Sequence, residues 1–193
     1  MAGAAALILA GGSAVRFGGD VPKQYLTLAM AMAVVGGVLA MLVRLQLGWP
    51  GMHATFWEKL FPAGMASGVM TPEFYVMLFT MHGTIMVFFV LSLGPVSGFG
   101  NFLIPLQVGA RDMAFPFLNM MSFWTAFPGA IIILISFFVE GGAAASGWTA
   151  YPPLSAIRSA IPGSAMGQTL WIVGMIFFLI PVLLQPAFIF EAT

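Results

Sequence analysis

Residues 74–93 read FYVMLFTMHGTIMVFFVLSL, and this stretch settles what kind of fold the chain can have. An α-helix needs roughly 20 apolar residues to cross the hydrocarbon core of a bilayer, and this run has that length. Its one histidine, His82, stands near the middle. The charge-free sequence extends further still: from residue 74 to residue 110 there is no Asp, Glu, Lys or Arg. A soluble domain has no use for such a stretch, because about a quarter of its residues must carry charge to hydrate its surface.

The whole chain repeats that message. Of its 193 residues, 61% are apolar and only 6% are charged, with a net charge of zero. Without a basic patch, no nucleic-acid partner is expected. There is no cysteine, which excludes disulfides, thiolate nucleophiles, iron–sulfur clusters and covalently attached haem. Any metal must be held by imidazole, thioether or oxygen ligands, and the only imidazoles are His53 and His82. The fifteen methionines read as adaptable packing residues.

Working outward, the expected fold is all-α, a transmembrane helix bundle of about four spans. The spans are residues 25–43, 74–93, 118–139 and 167–190, within a membrane unit of residues 24–193. Thr71-Pro72-Glu73 is a helix start: a capping hydroxyl, a proline in the first turn and an acid near the positive pole. Gly94 to Asn101 is expected to loosen or end the second span, and Pro128 to kink the third. Residues 52–73 read as a polar loop with a short interfacial helix around Phe56–Phe61, and Glu140–Met166 as a Gly/Ala/Pro-rich loop. Residues 1–23 form a separate non-membrane segment. Lys and Arg divide evenly between the two sides, so no orientation follows.

His82 is the residue with most to say about function. An imidazole at mid-span is costly and marks a functional candidate. It is either a neutral histidine hydrogen-bonded between helices or an axial ligand of haem iron, with Gly83 admitting a flat macrocycle. Periodicity leaves both readings open.

From about Lys23 to Trp171, the chain resembles subunit I of the haem–copper terminal oxidases, the cytochrome c and quinol oxidases. The resemblance rests on ordered blocks: residues 82–89 (HGTIMVFF), 98–101 (GFGN) with Pro105-Leu106, 109–116 (GARDMAFP), 122–124 (SFW) and 147–154 (GWTAYPPL). It implies that His82 is an axial ligand of a low-spin, a-type haem. It implies that Arg44 hydrogen-bonds a haem substituent and that Trp148 and Tyr151 stand near the haem propionates. The residue-level alternatives are a snorkelling arginine and interfacial aromatic anchors. Asp112 resembles the mouth of a proton-uptake channel, and Asn101 and Asn119 the amides that hold its first waters. Pairing with Arg111 or capping of span three is the structural alternative for Asp112.

The resemblance further implies a multi-pass protein, in a bacterial plasma membrane, associated with the rest of subunit I, other oxidase subunits and lipid. Its electron donor would be cytochrome c or quinol. A complete subunit I has about twelve spans, and the second haem ligand and copper-binding histidines of that family lie beyond the fourth. Copper is therefore not expected on this chain, nor is oxygen reduction by the chain alone. Gln46 stands where a calcium-binding carboxylate is common, so no metal is assigned there. After Trp171 the fourth span diverges from the family pattern.

Residues 7–26, LILAGGSAVRFGGDVPKQYL, separately resemble the nucleotide-binding loop of isoprenoid-pathway cytidylyltransferases. No α/β domain follows, so no nucleotide site is expected. Two other readings thus stand beside the oxidase: a cofactor-free membrane helical fragment or chimera, and a cytidylyltransferase remnant fused to membrane sequence.

Overall fold

The computed structural model describes residues 23–53, 55–109, 115–157, 160 and 165–190. Each of the four apolar segments is helical. The first helix, α1 (Lys23–Gly48), ends at a turn containing Gly51, whose φ of +82° suits glycine. A short α2 (Thr55–Leu60) lies in the expected interfacial loop. A small hairpin follows, β1 (Met65–Ala66) against β2 (Val69–Met70), with Met65 opposite Met70.

Helix α3 (Pro72–Thr84) starts as its residues dictate: the Thr71 hydroxyl accepts the Phe74 N–H at 3.3 Å, with Pro72 in the first turn. Beyond Thr84 the chain stays helical but widens into π-type turns over Ile85–Phe99, and then tightens again as α4 (Gly100–Val108). The loosening expected at Gly94–Asn101 is thus a change of helical pitch and not an end. Pro95 has no N–H to donate, and wide turns accommodate that loss without breaking the rod. Ser92 stitches the widened region by donating to the Val87 carbonyl, five residues back, at 3.0 Å. Gly109, with φ of +72°, closes α4 in the left-handed conformation.

Helix α5 (Pro116–Ile135) carries Pro128 within it, and α6 (Ala165–Phe190) follows the long loop. Three helical stretches are long and apolar enough to cross a membrane: Gln24–Gly48, Pro72–Val108 and Phe117–Phe138, of 25, 37 and 22 residues. At 1.5 Å per residue even the shortest reaches about 33 Å, against a hydrocarbon core of about 30 Å. The apolar part of α6 runs Met166–Ile180 among the described residues.

Helix α1 lies along α3 and its widened continuation, while α5 pairs with α6. Small residues let these backbones approach. A Cβ at Gly129 would stand 2.9 Å from the Gly174 carbonyl oxygen, so α5 and α6 touch main chain to main chain. Tyr25, Met32, Leu42, Leu78, Met81, Ile85, Phe89, Ile133 and Phe178 fill the interior. Met30, Val34, Phe79, Leu91 and Phe117 face outward, a surface suited to lipid.

Candidate functional site

His82 sits in the last turn of α3, half-buried against α1. Its Nδ1 lies 2.9 Å from the Gly36 carbonyl oxygen. A carbonyl can only accept, so Nδ1 carries the proton and donates. In the neutral ring Nε2 then holds the lone pair that binds a metal. Among the described residues Nε2 has no hydrogen-bond partner. The two readings of His82 therefore use different nitrogens of one ring and are compatible. Gly36 makes the contact available: a Cβ there would stand 2.7 Å from Met86 Sδ, so a side chain would push α1 off. The donor chemistry fits an axial haem ligand.

Trp148 joins this site from the loop after α5. Its indole covers Gly83, where a Cβ would meet Trp148 Cδ1 at 3.2 Å, and its ring centroid is 6.0 Å from that of Phe88. The absent side chain of Gly83 therefore leaves room for that indole. Tyr151 is 72% exposed and not drawn into the site. Arg44 is exposed and lies two turns beyond Gly36, about 12 Å along α1.

A buried polar net ties α3 to its neighbours beside His82. Trp171 Nε1 donates to Thr84 Oγ1 at 2.9 Å, Thr84 donates to the Thr80 carbonyl at 2.9 Å, and the Gly147 N–H donates to Thr80 Oγ1 at 3.0 Å. Each hydroxyl is satisfied, which lets it stand in an apolar interior.

Asn101 and Asn119, far apart in sequence terms, do meet: Asn101 Nδ2 donates to Asn119 Oδ1 at 3.0 Å. Two hydroxyls overlooked in the sequence complete the cluster. Tyr25 Oη donates to the Asn119 carbonyl at 3.0 Å and lies 2.5 Å from Ser122 Oγ, while Ser122 donates to the same carbonyl at 2.7 Å. Tyr25 is 2% exposed, so its phenol needs such partners. The available signal was spacing: Asn119 and Ser122 are three apart and share one helix face. Asp112 lies outside the described residues. Among those residues no three of His, Asp and Glu gather as a metal cluster.

Comparison with known proteins places the chain. The family model described as Cytochrome C and Quinol oxidase polypeptide I matches residues 20–193, leaving residues 1–19 outside. The alternative cytochrome c oxidase subunit 1 of Bradyrhizobium diazoefficiens is 43% identical over 157 residues, 81% of this chain and 24% of that protein. Cytochrome c oxidase subunit 1 of Thermostichus vulcanus is 38% identical over 153 residues, 79% of this chain and 24% of that protein. The chain spans about a quarter of the length of these relatives. With its long apolar helices it is a multi-pass membrane protein, and by sequence it belongs to the cytochrome c and quinol oxidase polypeptide I family.

Proposed function

We propose that this chain supplies part of the haem-binding core of a respiratory terminal oxidase, with His82 as an axial ligand of a low-spin, a-type haem. The observation that carries the reading is the Nδ1 hydrogen bond to the Gly36 carbonyl, which orients the ring and leaves Nε2 free to ligate. Haem, when bound, supplies one-electron redox chemistry. The chain's own part is to hold the ring aimed, and to wall the site with Trp148. Arg44 and Tyr151 serve haem substituents once the rest of subunit I is assembled. Cytochrome c or quinol is the electron donor, the family's copper-histidine site lies elsewhere in subunit I, and the membrane is the bacterial plasma membrane, crossed by four spans of residues 24–193.

The second half of the proposal is proton uptake. Asp112 gathers protons at the surface, and the Tyr25–Asn101–Asn119–Ser122 cluster orders the water that receives them. Amides and hydroxyls both donate and accept, so they can hold a chain of water in either polarity. The test of the haem reading is a reduced-minus-oxidised optical spectrum of the complete oxidase carrying this sequence. His82→Ala abolishes the low-spin band while the protein still inserts in the membrane. A low-spin band left intact in that variant defeats the assignment.

A further inference from the structure

The geometry points to a soft-metal site, suited to Cu(I), where the end of α1 meets the loop and hairpin that follow it. A cavity of about 20 Å³ is lined by Leu42, Leu45 and Gln46 of α1, Met52, Trp57 of α2, and Met65 and Met70 of the two strands. That volume admits one water-sized body. Three methionines thus line one single-ion space, two from the hairpin and one from the loop after α1. Met65 and Met70 are direct cross-strand partners, so their side chains leave the same face of the ladder with Cβ atoms about 5 Å apart. Met65 is 6% exposed and Met52 41%, which gives the cavity one deep wall and one accessible wall.

The donor set selects the ion. No carboxylate, imidazole or thiolate lines the cavity, so a divalent cation would enter with two charges uncompensated in apolar surroundings. Neutral, polarisable sulfur is the preferred ligand of monovalent copper. Trp57 adds an indole face, which attracts a cation through its quadrupole. Gln46 offers the single hard donor, a carboxamide oxygen. No pair of these methionines is close in sequence other than Met65 and Met70, and the hairpin register is what sets those two opposite one another.

The test uses the purified full chain in detergent, titrated with Cu(I) under ascorbate against a chromophoric Cu(I) chelator. One equivalent is retained, Zn(II) is not, and Ag(I) quenches tryptophan emission in a manner lost in Trp57→Phe. The double variant Met65→Leu/Met70→Leu conserves side-chain volume, so packing survives while the ligands go. Its Cu(I) affinity falls by more than the roughly 10-fold to 100-fold that loss of an outer-sphere partner costs. Met52→Leu, at the accessible wall where folding is not at stake, moves affinity in the same direction. Failure to retain Cu(I), equal retention of Zn(II), or undiminished Cu(I) affinity in both leucine variants overturns the assignment.

Discussion

At the scale of single residues, His82 shows how a costly side chain is made tolerable and useful together. Its Nδ1 proton finds a main-chain carbonyl exposed by a glycine, and the cost of burying an imidazole is reduced by that bond. Gly36 is therefore as much a part of the site as His82. Valine there would place branched methyl groups where Met86 and Ile85 already stand, and α1 would have to move off. In the complete oxidase we expect Gly36→Val to retain haem but shift the low-spin band, because the ring loses its anchor and turns. A band unmoved in position and width would show that the carbonyl contributes nothing to ligand orientation. The sequence alone marked His82 by its isolation in an apolar run, yet nothing in the letters identifies which carbonyl lies opposite.

At the scale of elements, glycine placement decides which helices can pair. The Cβ of alanine at Gly129 would lie 2.9 Å from the Gly174 carbonyl oxygen and 3.3 Å from the Phe178 nitrogen, both main chain. Neither can rotate away, so Gly129→Ala should separate α5 from α6 and cost about 1–3 kcal/mol. Gly37, one residue from the His82 anchor, has no atom within 4 Å of such a Cβ. Gly37→Ala should stabilise α1 by about 0.5–1 kcal/mol, the usual gain from removing a helical glycine. Denaturant unfolding of the purified chain in mixed micelles reads both signs; equal effects at the two glycines would contradict the pairing. The widened helix belongs to this scale too. Its Gly94-Pro95 sequence signals irregularity in one dimension, but whether a chain stops or changes pitch depends on what it packs against. Leu26 of α1 packs so closely on Gly98 that a Cβ there would stand 2.9 Å away, so the wide turns are supported along their length.

At the scale of the whole molecule, the proposed proton path links residues from α1, α4 and α5 that only the bundle brings together. If the Tyr25–Asn101–Asn119–Ser122 cluster receives protons from Asp112, a neutral isostere should leave haem assembly alone and stop proton delivery. In the complete oxidase, Asp112→Asn is expected to lower turnover sharply and abolish pumping, with haem content unchanged. Protons released per electron in reconstituted vesicles measure this. Normal stoichiometry with reduced expression would instead assign Asp112 a structural role.

What the sequence determined by itself is the class of fold and the family: apolar runs of bilayer length, 6% charge and ordered motif blocks leave no soluble alternative. It also singled out His82, because an imidazole stands out in an apolar run, while Asn101 and Asn119 were named through the family resemblance. Tertiary structure alone decided the proton position on His82, the seating of Trp148 on Gly83, the entry of Tyr25 and Ser122 into the amide cluster, and the place of Met52, Met65 and Met70 around one cavity. The reason is physical. Membrane residence follows from transfer free energies that add along the chain, one residue at a time, and so can be read in order. A hydrogen bond or a ligand set depends on distances between distant segments, and those are set only when the helices close on one another.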